Sequence, residues 1–422
     1  MGSARTFRAR WIFPGDQPPL AGGTFSVADG CIASVDPPGR CQPDVDLGNV
    51  AVLPGLANAH THLDLSALRG RLPALEGFTD WLRAIVAYRR DSSPTEWQQA
   101  IGDGIAESLL SGTTVLGDIS GGGFSAPVLA ASPLRSTVFH EIIGLTKPRA
   151  RQTWREAASW LHTHPSGSNC QLGISPHAPF SVRHGLWRLA SRRGVPLAIH
   201  WAETREEDQL LTNHSGPLRS FLEEIAAWDA KGLAEGRDWI ERQLGRVRRI
   251  VFVHGNYLDS ERVSSALRRP GMAIVYCPRT HAYFGHSPHP FLQLLAAGVN
   301  VALGTDSLAS NPDLSILEEM RFLWRIYRGQ LSGEQLLRMG TLNGAVALGF
   351  EAATGSLTTG KSADWITVPL GNGLEDDPYE TIFASRLPVR DVHISGHAVV
   401  RDGRMTWPLA ARQDELQAAP GG

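Results

Sequence analysis

The chain has 422 residues, of which 42% are hydrophobic and 19% are charged, and its formal net charge is −2. This length exceeds that of one small module and predicts either a large barrel with an appendage or two to three domains. The sequence has no long run of basic residues. It therefore lacks the electrostatic footprint of nucleic-acid or anionic-membrane binding, and a small-molecule partner is favoured.

The cysteines and the start of the chain indicate the compartment. Four widely spaced cysteines include no C-x-x-C pair, which argues against a zinc knuckle and against a disulfide framework. The first residues, MGSARTFRARWIF, contain no apolar run of signal-peptide length, and no stretch of membrane-spanning length follows. We therefore expect a soluble, cytoplasmic protein without a membrane partner. The sequence leaves the oligomeric state open, with a homodimer as one option.

The middle of the chain alternates short apolar runs with amphipathic helical stretches, which is typical of βαβ units around a parallel sheet. Eight runs predict strands, the number that a closed barrel needs. These runs are AVLPGLANAH, TTVLGDIS, STVFHEII, CQLGIS, VPLAIH, RIVFVH, GMAIVYC and VNVALGTD.

Both ends of the chain instead have a sequence pattern typical of short β-strands. Short extended segments alternate with Pro and Gly before residue 53, and an Asp-Gly hairpin signal lies at 402–403. The predicted fold is therefore α/β, a (β/α)8 TIM-type barrel over residues 54–354. A small β-sandwich beside it is expected to combine residues 1–53 with 355–412, because chain termini often lie close together. Residues 413–422 are expected to form a loose tail.

The predicted helices carry explicit signals. Phe78, Trp81, Leu82, Ile85 and Val86 follow the i, i+3, i+4, i+7, i+8 pattern of a helix with one buried face. The sequence Ser-Pro-Thr-Glu at 93–96 predicts a capping box with Pro at the first helical position. Residues 314–328 predict another amphipathic helix after the eighth strand.

Four candidate metal ligands end predicted strands. His60 and His62 alternate in an extended segment, so both imidazoles point to one face. His200 ends the fifth predicted strand and Asp306 ends the eighth. Three histidines and one carboxylate suit a divalent ion, with zinc as the first choice and iron or manganese as alternatives. Each residue alone also fits a rim hydrogen bond or turn chemistry, but barrel active sites lie at the carboxyl ends of the strands.

His162 and His164 form a second H-x-H pair and serve as an internal control. They end an apparent helix, where residues two apart point to different sides. We therefore interpret this pair as a solvated helix end.

Two further residues at strand ends are candidates for proton transfer. Glu203 follows His200 by three residues and is the candidate general acid and base; its alternative role is that of a solvated loop residue. His254 ends the sixth predicted strand and could hydrogen-bond the attacking water or the tetrahedral intermediate; alone, it would be a rim histidine.

Taken in order, the segments PGLANAHTHLDLSALRG, SPHAPFS, IHWAE, VFVHGN and LGTDS resemble the amidohydrolase superfamily, in its cytosine deaminase and chlorohydrolase-like branch. The resemblance implies that His60, His62, His200 and Asp306 bind one metal ion. It also implies that Glu203 shuttles protons and that His254 assists the attacking water, with Asp306 orienting it. Because QLGISPHAP has no Lys on the fourth strand, a mononuclear site is implied.

Substrate specificity is expected in the loops that follow the strands. His177, in SPHAPFS, is a candidate contact for the substrate. The segment CPRTHAYFGHSPHP offers Arg279, His281, Tyr283 and Phe284 for polar and stacking contacts; a folded lid without direct contact is the alternative.

The segments HLDLSALRG and GFTDWLRAIVAYRR are similar to those of the aminodeoxyfutalosine deaminases of menaquinone synthesis. The resemblance implies a metal-dependent deaminase that acts on an aminopurine nucleoside-like substrate, such as aminodeoxyfutalosine or adenosine, and releases ammonia. Two alternatives are a hydrolase that opens a cyclic amide or removes another leaving group, and a metal-binding scaffold without turnover.

Overall fold

The computed structural model describes residues 4–72, 77–164, 166–259, 265–371 and 377–407, without the side chains of residues 265 and 266. The predicted loose tail, residues 413–422, lies outside the described residues. Within the described part, no helix is long and apolar enough to cross a membrane.

The first part of the chain forms short strands that belong to two sheets. The bounds of these strands are β1 (Arg5–Arg8), β2 (Trp11–Ile12), β3 (Leu20–Ala21), β4 (Thr24–Ala28), β5 (Cys31–Asp36), β6 (Val45–Asp46) and β7 (Val50–Pro54). One sheet has the strand order β5-β4-β1-β6, whereas β7, β2 and β3 contribute to a second sheet.

The eight predicted parallel strands are confirmed and lie in sequential order in one sheet. Backbone hydrogen bonds of 3.1 Å from the amides of Thr305 and Asp306 to the carbonyl of His60 join the last strand to the first. The sheet is thereby closed into a barrel. Its strands are β8 (Leu56–Thr61), β9 (Thr113–Ser120), β10 (Arg135–Ile142), β11 (Cys170–Pro176), β12 (Leu197–Trp201), β13 (Ile250–His254), β14 (Met272–Tyr276) and β15 (Val301–Leu303).

The first predicted strand, residues 51–60, is in fact two strands. β7 pairs with a strand of the second sheet, and β8 pairs with β9 in the barrel. Gly55 alone separates them. A Cβ at this position would lie 2.1 Å from Oγ1 of Thr114. A residue with a side chain would therefore fit here only if Thr114 moved.

Helices surround the barrel and follow its strands. Their bounds are α1 (Phe78–Asp91), α2 (Pro94–Leu110), α3 (Ser125–Ala131), α4 (Lys147–Thr163), α5 (His184–Ser191), α6 (Arg205–Asn213), α7 (Pro217–Glu224), α8 (Arg237–Leu244), α9 (Pro278–Tyr283), α10 (Phe291–Ala296), α11 (Ile316–Ile326), α12 (Gly333–Gly340) and α13 (Leu342–Leu348). The helix predicted from Phe78 buries the expected face, and the capping box of Ser93 and Glu96 is present. The helix predicted over 314–328 corresponds to α11.

Small and β-branched side chains fill the barrel. The inward cluster includes Ala57, Val115, Ala198, Val251 and Ala302, and it continues into Leu348 and Phe350 at and after the end of α13. Because this interior is packed, the barrel is a solid support rather than a channel.

The last part of the chain returns to the second sheet. Its elements are β16 (Trp365–Pro369), α14 (Pro378–Phe383), β17 (Asp391–Ile394), β18 (His397–Arg401) and β19 (Arg404–Met405). In the sheet order β19-β18-β17-β16-β7-β2-β3, the C-terminal strands join the N-terminal strands through the pair of β16 and β7. Asp402 and Gly403 have φ of 49° and 69°, as the predicted hairpin turn requires.

The two sheets share one apolar cluster. Phe7 and Phe25 of the first sheet pack against Trp365 of the second, with ring centroids 5.2 to 5.4 Å apart. The predicted fold class, a barrel with a terminal β-sandwich, is therefore confirmed. The exact division at residues 53 and 354 stays a prediction.

Candidate metal and active site

Three histidines and one aspartate meet at the carboxyl ends of the barrel strands. His60 lies in β8 with His62 directly after that strand, His200 lies in β12, and Asp306 follows β15. Nε2 of His62 is 3.2 Å from Nε2 of His200, and Oδ1 of Asp306 is 3.5 Å from Nε2 of His60. All four side chains are buried. The structure thus brings together the four predicted ligands.

The donor atoms of this cluster fit a divalent metal ion. Both ring nitrogens of His60 and Nδ1 of His62 are buried and have no hydrogen-bond partner among the described residues. Buried polar atoms normally have partners. Two nitrogens that each lie 2.0–2.1 Å from one tetrahedral ion are about 3.3 Å apart. The separation of 3.2 Å between His62 and His200 matches this value.

The protonation of the imidazoles also suits a ligand role. Nδ1 of His200 lies 3.1 Å from the backbone carbonyl of His177 and donates a hydrogen bond to it, which leaves Nε2 with a free lone pair. Burial and the neighbouring His177 ring hold the pKa of His200 well below its usual range. Burial and His60 have the same effect on the pKa of His62. Neutral imidazoles are the form that binds a metal.

Glu203 and His254 lie beside this cluster as a buried pair. Oε1 of Glu203 is 3.4 Å from Nε2 of His254. Burial, and after it the negative charge of Asp306, raises the pKa of Glu203 well above its usual range. Burial lowers the pKa of His254. A carboxyl group with a raised pKa, next to an imidazole with a lowered pKa, is suited to general acid and base chemistry.

Three strands leave the barrel at this site through left-handed backbone. Ala202, His254 and Asp306 have φ of 50°, 69° and 57°. Such a conformation costs an L-residue roughly 1–2 kcal/mol. The amide of Ala202 is held by Oε1 of Glu207 at 3.1 Å, and Glu207 is itself paired with Arg237. Strained backbone held by its surroundings is typical of functional sites.

A cavity of about 380 Å³ leads to the cluster. This volume lies in the range of small-molecule sites, which is about 300–1,000 Å³. Its polar end includes His62, His200, Glu203, His254 and Asp306. Helices α1 and α7 supply much of an apolar wall, which comprises Phe78, Trp81, Leu82, Ile85, Phe221 and Leu222.

The comparison with protein families decides the identity of this arrangement. The model of the amidohydrolase family matches residues 51–399, which is most of the chain. The chain belongs to the amidohydrolase family.

Named relatives of this amidohydrolase are deaminases. It is 29% identical over 385 residues to the 5-methylthioadenosine/S-adenosylhomocysteine deaminase of Moorella thermoacetica, covering 85% of this chain and 84% of the relative. It is 30% identical over 328 residues to the aminodeoxyfutalosine deaminase of Deinococcus radiodurans, covering 71% and 73%. An adenosine deaminase of Xanthomonas campestris with bound zinc has the same fold, with a TM-score of 0.80, 24% identity and coverage of 98% and 96%.

The polar side chains of the loop after the seventh barrel strand have partners within the protein. Nε of Arg279 donates to Glu319 at 2.8 Å, and Nη2 donates to Asp313 at 2.6 Å. Nε2 of His281 is 2.9 Å from the carbonyl of Ser287. Within the described part of the chain, the cavity lining includes neither residue. Their contact with the substrate stays a prediction.

The aromatic residues of the same loop support the apolar wall from behind. Phe284 packs edge-on against Phe78 and Trp81, with ring centroids 5.6 and 5.5 Å apart. Tyr283 is 44% exposed. Phe284 is therefore placed to orient the residues that line the cavity, and its own contact with the substrate stays a prediction.

His177 lines the cavity, and next to it lies a charged residue that the sequence reasoning missed. Glu141, near the end of β10, lines the same cavity and pairs with Arg89 of α1. One carboxylate oxygen of Glu141 and one ring nitrogen each of His177 and His200 lie within 4.8 Å of one another. The signal that could have identified Glu141 is its position near the carboxyl end of the third barrel strand.

The control pair lies away from this site. His162 is exposed at the end of α4, and the ring of His164 stacks on Trp160 at 5.5 Å. Among the described residues, the groups that could hold a metal include neither histidine. Their geometry agrees with the helix-end interpretation.

Proposed function

We propose that this amidohydrolase is a metal-dependent deaminase that converts a 6-aminopurine nucleoside and water into the 6-oxopurine nucleoside and ammonia. The observation that carries the proposal is the buried Glu203 and His254 pair, which lies beside three histidines and Asp306 at the polar end of the cavity. The deaminase names of the relatives support the same reaction class.

His60, His62, His200 and Asp306 would hold one divalent ion, with zinc as our first choice because neutral imidazoles and one carboxylate suit it. Such an ion, when bound, supplies a Lewis acid that lowers the pKa of water. The adenosine deaminase of Xanthomonas campestris, which has the same fold, has bound zinc.

Glu203 is the proposed proton carrier. Its carboxylate takes a proton from the attacking water while the water oxygen forms a bond to the ring carbon that bears the amino group. The same carboxyl then gives this proton to the adjacent ring nitrogen. Asp306 accepts the second proton of the water and passes it to the amino group. The bond between carbon and the amino nitrogen breaks, and ammonia leaves.

His254 is the proposed stabiliser of the tetrahedral state. Its Nε2 is buried, has no hydrogen-bond partner among the described residues and lies 3.4 Å from Glu203. The carbonyl of His254 accepts a hydrogen bond of 2.7 Å from His289, which anchors the left-handed turn. A donor fixed beside the reacting carbon stabilises the oxygen on which negative charge develops.

The apolar wall favours a nucleoside with an apolar substituent on its sugar. With the aminopurine at the polar end, the sugar and its 5′ group extend along Trp81, Phe221 and Leu222. The relative from Moorella thermoacetica is named for substrates that are adenosines substituted at the 5′ position. We therefore expect 5′-substituted adenosines to be better substrates than adenine.

A panel of 6-aminopurines tests the proposal. The metal-loaded enzyme is incubated with adenine, adenosine, 5′-methylthioadenosine and aminodeoxyfutalosine, and the release of ammonia and the loss of adenine absorbance are measured. Glu203→Gln should lower kcat by about 10²–10⁴-fold. Glu206→Gln, a matched control three residues further on, should retain activity. If every aminopurine is inert and a cyclic amide is hydrolysed without ammonia release, the proposal is wrong.

A further inference from the structure

A second group of possible metal ligands lies beside the first. It comprises Glu141 near the end of β10, His177 directly after β11, and His200 in β12. One carboxylate oxygen of Glu141 and one ring nitrogen of each histidine lie within 4.8 Å of one another. All three residues line the cavity. An ion held by this group would therefore occupy the cavity itself.

His200 cannot serve both groups of ligands. Its Nε2 is 3.2 Å from Nε2 of His62, as expected for two ligands of one ion, and its Nδ1 donates a hydrogen bond to the carbonyl of His177. The second group therefore has two ligands of its own, Glu141 and His177. A site with two protein ligands keeps positions open for water and binds an ion more weakly than a site with four.

The hydrogen bonds of His177 leave one of its ring nitrogens available to an ion. Oγ of Ser181 donates to the carbonyl of Ala178 at 3.2 Å, so it accepts from Nδ1 of His177 at 2.7 Å. Nδ1 therefore carries the proton, and Nε2 has the free lone pair. A metal-binding histidine is normally fixed in this way, with one ring nitrogen donating to a neighbour and the other facing the ion.

Glu141 is held as an ionised carboxylate. Nη1 of Arg89 donates to its Oε2 at 2.8 Å, and Nη2 of Arg89 donates to Asp64 at 3.1 Å. A carboxylate has about four acceptor positions, so this one bond leaves Glu141 able to bind an ion. The side chains of Asp64 and Glu141 are each only 4% exposed. Two ionised carboxylates and one guanidinium carry one net negative charge, which attracts a cation.

We propose that Glu141 and His177 form a second divalent-cation site that takes zinc, and that an ion bound there inhibits the enzyme by excluding the substrate from the cavity. An imidazole nitrogen and a carboxylate oxygen are both zinc ligands. The proposed catalytic metal centre uses neither residue. Binding of the second ion does not depend on the proposed function, whereas the inhibition rests on it.

Equilibrium dialysis of the metal-free protein against zinc at neutral pH, with the bound metal counted by atomic absorption, tests the site. The unaltered protein should bind two ions per chain, the second more weakly than the first but with a Kd below about 1 mM. Glu141→Gln and His177→Asn should each keep the first ion and weaken the second at least about tenfold, since even a residue that only orients a ligand contributes that much. The matched control is His162→Asn, which alters an exposed histidine at the end of α4 and should bind both ions.

Three results of this dialysis would overturn the proposal. They are a single ion per chain in the unaltered protein, a second ion that either cavity variant binds unchanged, and a second ion that is lost in His162→Asn. The first of these results needs no variant. The proposal can therefore be refuted even if Glu141→Gln fails to fold.

Inhibition by excess zinc separates this inference from the proposed function. With an aminopurine nucleoside as substrate, free zinc at about ten times the Kd of the second ion should raise the apparent KM about elevenfold by mass action and leave kcat unchanged. The same zinc concentration should leave the KM of His177→Asn nearly unchanged. If no aminopurine nucleoside is deaminated, the proposed function fails, and the number of bound ions still decides the site. Deamination that excess zinc does not inhibit would overturn the proposal, even if two ions bind.

Discussion

Replacing Arg279 with alanine distinguishes a structural ion pair from the substrate contact that the sequence favours. Arg279 pairs with Glu319, whose side chain is fully buried, and with Asp313, whose side chain is 33% exposed. In the variant, Asp313 regains water, but Glu319 keeps only the amide of Asn311 at 2.7 Å and the backbone amide at position 279. Removing one partner of a buried pair costs about 3–5 kcal/mol. We expect a loss of this size, mostly from Glu319.

The assay is urea unfolding monitored by tryptophan fluorescence, together with KM for the best aminopurine nucleoside. The control Arg328→Ala breaks a pair with Glu380 in which the arginine is 69% exposed, and it should cost only about 0–1 kcal/mol. Adding Glu319→Gln to Arg279→Ala should recover part of the loss, because the unpaired buried charge is gone. A KM increased tenfold or more at an unchanged free energy of unfolding would refute this reasoning and establish Arg279 as a substrate contact.

Three further predictions concern the metal, the pH dependence and the backbone. Chelation should lower the melting temperature of the metal-loaded protein, since metal at 1,000 times its Kd adds about 4 kcal/mol to the free energy of unfolding. The melting temperature of His62→Ala should not change on chelation, and an equal decrease in both proteins would argue against the site. Burial lowers the pKa of His393 to about 4, so the unfolded chain, with a pKa of about 6.5, takes up a proton first as the pH falls. About 3 kcal/mol of the free energy of unfolding is therefore present above pH 6.5 and lost towards pH 4. His393→Phe keeps the stacking on Trp365, so in urea titrations at pH 7.5 and 5 its free energy of unfolding should fall less than that of the unaltered protein. An equal fall in both proteins would contradict the linkage. Gly55→Ala should lower the free energy of unfolding by about 1–3 kcal/mol through overpacking against Thr114. Adding Thr114→Ala should recover part of this loss in thermal melts, and no recovery would show that the strain lies elsewhere.

The meeting of the four candidate ligands could be predicted because these residues follow a simple local rule. His60, His62, His200 and Asp306 all end apolar runs, and parallel strands of a barrel bring their carboxyl ends together. The rule needs no knowledge of side-chain contacts. The same rule rejected His162 and His164, which end a helix.

The sequence does not show the contacts that side chains make between distant segments. Arg279 pairs with Glu319 and Phe284 packs on Trp81, and neither contact could be predicted. Glu141 depends on Arg89, 52 residues earlier, for its ion pair. No period or spacing in the sequence encodes such pairings, because they arise from the helices that pack outside the strands.

The single glycine between β7 and β8 has a consequence for how this architecture can vary during evolution. Because side chains alternate along a strand, inserting or deleting one residue at Gly55 would turn both imidazoles of the H-x-H pair to the opposite face. The amide of Gly55 is also fixed by the carbonyl of Asp364 at 3.0 Å. We therefore expect the chain length at this junction, and with it the alignment of the terminal sheet with the barrel, to stay constant. New specificities have to arise in the loops at the carboxyl ends of the strands, where length is free to change.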